Sequence, residues 1–277
     1  MINLYAKREF RFPVEASCIS PDIFQGKTTD EIEALQIWEG KQQKKFGELF
    51  KVEMNSENRA QNPIMTAHGD LREVRRIGSF MKSGELIIRG NAGMHLGEEM
   101  KGGNIKVYGN AEGWTGSMMT GGTIEVSGNC GDYLGAPYRG SANGMKGGKI
   151  IIHGNVGNEA GAHMKKGTIK ILGNAGQFLG FRMKKGTIYV QGDAEGRAGA
   201  CMTGGKIVTN GHLESVLPTF TIDSIKAKVK IEESESANGP FYLFLGDLAE
   251  NGEGKLYVSK EKNPHLKHYE RFLEGNL

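Results

Sequence analysis

The stretch "MKKGTIKILGNAGQFLGFR", residues 164–182, is followed at once by "MKKGTIYVQGDAEGRAGAC", residues 183–201, so that nearly the same 19 residues occur twice in a row. The same spacing separates most members of a series of methionines. These are Met81, Met100, Met119, Met145, Met164, Met183 and Met202. One interval is longer, at 26 residues, and it contains "GAPYRGSANG", residues 135–144. A fixed period of this length indicates a repeat architecture, here with one inserted loop.

Each unit has glycine at its fourth and tenth positions and an apolar residue at its sixth, and the six units that begin at Met81 to Met183 also have an apolar residue at their eighth. The residues between the apolar ones are mostly polar, such as Thr123 and Glu125. This alternation predicts a strand with one buried face, and glycine suits the corners that follow because it adopts positive φ without steric cost. The tenth residue and its successor recur as Gly90 and Asn91, Gly109 and Asn110, Gly128 and Asn129, Gly154 and Asn155, Gly173 and Asn174, and Gly192 and Asp193.

The pattern predicts an all-β fold, a right-handed parallel β-helix of about seven 19-residue coils. Stacked coils would bury the sixth-position, eighth-position and methionine side chains, while the asparagine column would form hydrogen bonds from coil to coil. Glycine supplies 42 of the 277 residues, and the apolar fraction is only 38%, which favours a narrow core. Only 7 residues are proline, which argues against a collagen-like or Pro/Gly-rich disordered chain.

The flanking segments do not follow the period. We therefore predict an N-terminal capping or docking segment at 1–63, the β-helix at 64–211, and a C-terminal capping or docking segment at 212–277. Thr28 and Glu31 are spaced as a capping box, although a short helix and a strand both remain open there. After residue 211, "SIKAKVKIEE", "GPFYLFLGD" and "KLYVS" are strand-like runs that could pair.

The search for chemistry yields no predicted catalytic residue and no predicted metal site. The three cysteines are far apart, Cys130 falls at a small and buried corner position, and the seven histidines lack metal-binding spacing and favour solvated imidazoles. Strings such as "GNAGMHLG" recur in every unit without a following helix, so they do not indicate a nucleotide loop. A net charge of +3 does not point to nucleic acid. Without a signal-peptide pattern or an 18-residue apolar run, we expect no membrane span and a cytoplasmic chain with reduced thiols.

One charge pattern remains. Lysines at the second and third positions would stack into a basic stripe, composed of Lys82, Lys101, Lys146, Lys165, Lys166, Lys184 and Lys185. The stripe is either a solvated corner or a docking track for an acidic partner or polyanionic ligand. In the inserted loop, Tyr138 could stack and Arg139 could pair with a carboxylate. The candidate ligand-binding residues are therefore Tyr138, Arg139, Lys146, Lys165 and Lys184.

The units "MKGGKIIIHGN" and "MKKGTIYVQGD" resemble the glycine-rich β-helix at the C-terminus of glutamate synthase large subunits. They resemble more closely the C subunit of formylmethanofuran dehydrogenase, and that similarity extends to "FRFPVEAS" and "FGELFKVE" in the N-terminal segment. The resemblance implies a complex that reduces carbon dioxide with reduced ferredoxin-type electrons and forms N-formylmethanofuran in methanogenesis. It implies a molybdenum- or tungsten-pterin subunit, iron–sulfur subunits and an amidohydrolase-like subunit with a dinuclear zinc-type site.

The C subunit would carry none of these cofactors and would act as a non-catalytic scaffold. Methanofuran has an anionic, glutamate-rich tail, which the lysine stripe or Arg139 could hold. Two alternatives stay open: the same subunit in a bacterial formyltransferase/hydrolase complex of one-carbon oxidation, and a free-standing structural β-solenoid. A β-helix enzyme acting on polysaccharide is disfavoured, because Glu125, Glu159 and Glu195 fall at different repeat positions.

Overall fold

The computed structural model describes residues 1–54 and 62–273. Strands dominate this part of the chain. They are β1 (Ile2–Ala6), β2 (Val14–Glu15), β3 (Gln36–Glu39), β4 (Gln42–Lys45), β5 (Phe50–Met54), β6 (Ile64–His68), β7 (Val74–Arg75), β8 (Glu85–Arg89), β9 (Asn104–Val107), β10 (Thr123–Val126), β11 (Lys146–Ile152), β12 (Lys166–Ile171), β13 (Thr187–Val190), β14 (Lys206–Thr209), β15 (Thr221–Lys230), β16 (Ser236–Gly246) and β17 (Gly254–Ser259). The helices are α1 (Pro21–Phe24), α2 (Thr29–Glu33) and α3 (Phe46–Leu49), with 3₁₀ turns at Leu248–Glu250 and Pro264–Phe272.

One 13-stranded sheet organises the fold, in the order β15-β16-β17-β14-β13-β12-β11-β10-β9-β8-β6-β1-β5. Every pairing from β1 to β17 within this order is parallel. Antiparallel strands finish both ends, β5 at one and the β15–β16 pair at the other. The prediction of an all-β chain built on a long parallel sheet is therefore confirmed.

The repeat strands pair in register, so that equivalent residues stand opposite each other. Ile124 lies between Ile105 on β9 and Ile150 on β11. The sixth- and eighth-position side chains are at most 1% exposed from Leu86 to Val190, and the seven repeat methionines are fully buried. The predicted core is confirmed, because each repeat contributes the same side chains to one continuous buried column.

Successive repeats are also joined at the predicted asparagine corner. The backbone N–H of Asn110 donates to Asn91 Oδ1 at 2.9 Å, and that of Asn129 donates to Asn110 Oδ1 at 2.8 Å. Asp193 continues the column as an acceptor for the N–H of His212 at 2.7 Å. The preceding glycine is required by close approach, since a Cβ on Gly109 would lie 2.5 Å from Asn91 Oδ1.

Two further sets of contacts tie one repeat to the next. A row of small residues forms isolated parallel bridges, running from Leu71 through Ala92, Ala111 and Cys130 to Leu213. On a third side, the N–H of Gly116 donates to Leu96 O at 2.7 Å, as the N–H of Gly97 does to Ile77 O at 2.8 Å. Every repeat is thus fixed to its neighbours at several points along its length rather than at the sheet alone.

Both flanks contribute strands to the main sheet. At Thr28 the helix alternative is correct, because the N–H of Glu31 donates to Thr28 Oγ1 and the N–H of Thr28 donates to Glu31 Oε2, which caps α2. A small second sheet, β4-β3-β2-β7, accompanies the N-terminal segment. The three C-terminal strands pair as predicted. The division at residues 63 and 211 stays a prediction, and residues 274–277 lie outside the described part.

None of the helices within residues 1–54 and 62–273 combines the length and the apolar character needed to cross a membrane.

Candidate functional site

The predicted lysine stripe is present as a stacked column. The N–H groups of Lys101, Lys165 and Lys184 each donate at 2.8 Å to a methionine carbonyl of the preceding repeat. Lys146 makes the same bond to Met119 O, so Lys146, Lys165 and Lys184 lie in consecutive repeats. Thr120 takes the equivalent place between Lys101 and Lys146, because its N–H donates to Met100 O. The structure therefore brings the three predicted lysines together and divides them from Lys82 and Lys101.

The stripe is a region of uncompensated positive charge. Lys82, Lys101, Lys146 and Lys184 are exposed, and within the described residues none of the stripe lysines forms an ion pair. Lys165 Nζ donates to Asn143 Oδ1 of the inserted loop. Cations without a carboxylate partner, on strands about 4.8 Å apart, attract acidic groups over a Debye length.

The pKa of His163 shows the effect of the positive charge in this region. Burial, followed by the charges of Arg182, Lys184 and Lys165, holds the pKa of His163 below its ordinary value. Arg182 lies against the Phe181 ring, with its Cζ 5.3 Å from the ring centroid, and Phe181 meets the His163 ring edge-on at 5.7 Å. His163 is thus a neutral imidazole at pH 7 within a cationic surface.

The inserted loop places its two candidate residues at the surface. Tyr138 is 52% exposed, and Arg139 is exposed without an ion pair to any described residue. The Tyr138 ring lies 5.9 Å from that of His95, whereas Asn143 of the same loop contacts Lys165. The loop therefore connects the lysine stripe with a second column of side chains that the sequence search missed.

That second column is an aromatic stack on the fifteenth repeat position. The rings of His95 and Trp114 are stacked at 5.4 Å, and those of Trp114 and Tyr133 at 4.5 Å. All three backbones have positive φ, at 63°, 59° and 65°. An alignment of the repeats at this position would have found the aromatic stack. The residues there are, in order, Arg76, His95, Trp114, Tyr133, Glu159, Phe178 and Arg197.

The expectation of a solvated imidazole is wrong for His95, which is only 8% exposed. Its Nδ1 lies 3.4 Å from Oε1 of the buried Glu98, and Arg76 Nη1 lies 2.9 Å from Glu98 Oε2. Trp114 Nε1 is buried and has no hydrogen-bond partner among the described residues. The ion pair with Arg76 compensates the charge of the buried Glu98 carboxylate.

Cys130 behaves as predicted for a buried structural thiol. It bridges Ala111 and Val156 in the row of small residues, and burial raises the pKa of its thiol to about 12. Burial likewise raises the pKa of Cys18 to about 12. The described residues contain no group of three or more histidine, cysteine, aspartate or glutamate side chains arranged to hold a metal ion.

No protein-family model matches the chain. Curated relatives match a segment of it. The C subunit of molybdenum-containing formylmethanofuran dehydrogenase 1 from Methanothermobacter marburgensis is 45% identical over 94 residues, which are 34% of this chain and 23% of the relative. The C subunit of the tungsten-containing formylmethanofuran dehydrogenase 2 from Methanothermobacter wolfeii is 39% identical over 96 residues, 35% of this chain and 36% of the relative. The match thus spans about a quarter to a third of the length of these relatives.

A solved structure matches nearly the whole chain. It is a chain in the crystal structure of the formyltransferase/hydrolase complex (FhcABCD) from Methylorubrum extorquens in complex with methylofuran. The two chains are 27% identical, the match covers 93% of this chain and 99% of the other, and the TM-score is 0.84. The resemblance to the C subunit of formylmethanofuran dehydrogenase is confirmed by the relatives from methanogens.

Proposed function

From the premise that this chain is similar to the C subunits of formylmethanofuran dehydrogenases, we propose that it is the non-catalytic scaffold subunit of such a complex. The complex would reduce carbon dioxide with reduced ferredoxin-type electrons and form N-formylmethanofuran. The observation that carries the proposal is the identity of 39–45% with named C subunits of both molybdenum and tungsten forms. The likeness over 93% of the chain to a chain of a related multi-subunit complex supports a role in assembly.

A rigid rod suits that role. We infer that the stacked repeats form a right-handed parallel β-helix, since successive units are joined at the sheet, at the asparagine corner and at the glycine side. Such a rod presents equivalent positions in straight columns, so that partner subunits can bind at fixed distances along it.

The cofactors would belong to the partners. The molybdenum- or tungsten-pterin subunit, the iron–sulfur subunits and the amidohydrolase-like subunit with its dinuclear zinc-type site would assemble around this chain in the cytoplasm. The names of the relatives support a molybdenum or tungsten complex.

The lysine stripe and the inserted loop are the proposed contact for an anionic ligand or partner. Lys146, Lys165 and Lys184 lie in consecutive repeats without ion pairs to described residues. Tyr138 and Arg139 are exposed in the inserted loop, which contacts Lys165 through Asn143. If Arg139 holds the glutamate-rich tail of methanofuran, Arg139→Ala raises the KM for methanofuran in the assembled complex, whereas Lys226→Ala on β15 does not. An unchanged KM for Arg139→Ala would remove the loop from this role.

The second candidate is a formyltransferase/hydrolase complex, which the whole-chain match to the Methylorubrum extorquens structure favours. Purification of the native complex through a tag on this chain, with metal analysis of the eluate, separates the two. Molybdenum or tungsten together with iron–sulfur subunits supports the dehydrogenase. Zinc without those subunits supports the second candidate. A chain that elutes alone contradicts both.

A further inference from the structure

The outward side of the main sheet is partly covered by this chain itself. Side chains that alternate with the buried ones form an outward row across the parallel strands. In register, the row consists of Thr66, Ile87, Lys106, Glu125, Ile151, Lys170, Tyr189, Val208 and Tyr257. The row crosses nine strands in one direction, so its two halves can be compared directly.

The C-terminal half of the row is covered by the tip of the β15–β16 hairpin, residues 229–237. Val229, Ile231 and Ala237 of the tip form a buried cluster with Val208, and Tyr189 and Tyr257 pack against it. Two ion pairs fix the tip to the sheet.

The tip supplies both carboxylates of these pairs. Lys149 Nζ lies 2.6 Å from Glu232 Oε2, and Lys170 Nζ lies 2.5 Å from Glu235 Oε2. The covered half thus joins apolar contacts with carboxylates placed on sheet lysines.

In the other half Thr66 is buried, but the strands beside it carry apolar and cationic side chains at exposed or half-buried positions. We call Ile87, Arg89, Lys106 and Tyr108 on and beside β8 and β9 the open face. Tyr108 is 49% exposed, and two cations lie near its ring, with Arg89 Cζ at 5.3 Å and Lys106 Nζ at 5.2 Å from the centroid.

Neither cation of the open face has a carboxylate within 4.0 Å in the described part of the chain. The neighbouring Glu125 is already bound to His153 Nε2 at 2.8 Å. Arginine and tyrosine side chains in this setting are typical of interaction hot spots.

We propose that the open face docks an extended, acidic segment of another subunit of the complex. The segment places carboxylates on Arg89 and Lys106 and apolar side chains on Tyr108 and Ile87, as the chain's own tip does on Lys149 and Lys170. A second copy of this chain is a poorer occupant, because the carboxylates of its tip, Glu232 and Glu235, are engaged on its own sheet. The proposal rests on the scaffold function proposed above.

The test uses the intact complex purified through a tag on this chain. Arg89→Glu with Lys106→Glu reverses both charges of the open face, and Lys226→Glu with Lys228→Glu makes the same charge change at exposed positions of β15. The first pair is expected to weaken retention of one subunit on dilution roughly 10- to 100-fold, because like charges then face each other. The control pair leaves retention unchanged. Thermal melting of each variant separates a loss of retention from a loss of folding, because Lys106→Glu also places a carboxylate opposite Glu125.

A photo-crosslinking residue at position 108 identifies the occupant. A cross-link to an acidic segment of another subunit supports the proposal. A cross-link to a second copy of this chain, to a segment without acidic residues, or to nothing in an intact complex overturns it, as does unchanged retention of the reversed pair. These failures leave the scaffold function standing. If the unsubstituted chain purifies alone, the scaffold function fails and the docking proposal fails with it.

Discussion

Two columns run along the same repeat and differ in what they contain. The buried column has isoleucine at Ile105, Ile124 and Ile150, each at most 1% exposed. The corner column at the fifteenth position has His95, Trp114 and Tyr133 in three consecutive units. Both obey one spacing, yet one column repeats its side chains and the other changes them at every step.

The difference teaches where the repeat is constrained. A buried column must fill the same cross-section in every repeat, so side chains of one volume and shape recur. The side chains of a corner column meet different neighbours from one repeat to the next, as His95 meets Glu98 and Trp114 meets Tyr133, so their identities can differ. The constant column holds the stack together, and the changing columns distinguish one level of the stack from another.

The largest expected effect is on the reactivity of a buried thiol, that of Cys130, compared with the same thiol exposed to solvent. Cys130 is in the row of small residues with a thiol pKa raised by burial to about 12, against an ordinary value of 9.0. At pH 8 the thiolate fraction of Cys130 in the folded chain is expected to be about 1000-fold lower than that of an ordinary thiol. Alkylation by iodoacetamide is expected to be slower by at least the same factor. Mass spectrometry of Cys130 peptides from folded and denaturant-unfolded protein measures the ratio. Equal rates in the two states would show that the corner opens readily to solvent.

Adjacent isoleucines on β11 give the next comparison. Ile150 is fully buried in the core, whereas Ile151 points outward and is half-buried. Ile150→Ala is expected to lower the free energy of unfolding by about 3 kcal/mol, since it removes apolar contacts and leaves a cavity. Ile151→Ala, the matched control, is expected to cost less than about 1 kcal/mol. Denaturant titration of both variants checks this, and similar losses would contradict the division into inner and outer rows.

The buried columns are the part of the molecule that sequence alone predicts well. Ile150 and Met145 could be placed because burial forces the same residue types to recur at a fixed period, and that period is visible in one sequence. The helix at Thr28 could be narrowed only to two alternatives, because a single capping box competes with nearby strand-forming residues.

The candidate site was predicted only in part. Lys146, Lys165 and Lys184 followed from the period, whereas the buried state of His95 did not. That state depends on Glu98, Trp114 and Tyr138, which lie in the same unit as His95, in the next unit and in the inserted loop. Contacts between columns cannot be predicted from the sequence without the geometry of the stack. The open face can be recognised only when the path of the β15–β16 tip is also known.

Substitutions at the asparagine corner are expected to have an effect on stability between that of the buried columns and that of the changing columns. Asn129 Oδ1 accepts the N–H of Asn155 at 2.8 Å at a corner that is not buried. Asn129→Ala is expected to cost about 0.5–1 kcal/mol of unfolding free energy, because water partly replaces the lost acceptor. Asn129→Asp keeps an acceptor oxygen, as Asp193 does naturally, and is expected to lose less. Thermal and denaturant melts rank the two variants, and a larger loss for Asp than for Ala would rule out the acceptor as the stabilising group.

The smallest effect tests the electrostatics of the changing columns. The pKa of His163 is lowered by burial and then by Arg182, Lys184 and Lys165, so the unfolded chain binds more protons near this pKa than the folded one. Protonation therefore favours the unfolded chain. Relative to high pH, stability falls as the pH drops below the unfolded pKa of about 6.5, and the loss is complete below the lower folded pKa.

Lys184→Gln removes one of the repelling charges and is expected to raise the pKa of His163, as added salt should do. Lys146→Gln, two repeats away from Lys184 in the same stripe, is expected to leave it in place, because Lys146 is not among the charges that act on His163. An NMR titration of the His163 ring measures both variants. Equal shifts in the two would mean that the stripe acts as one diffuse field, whereas a shift confined to Lys184→Gln would mean that each level of the stack has its own electrostatic environment.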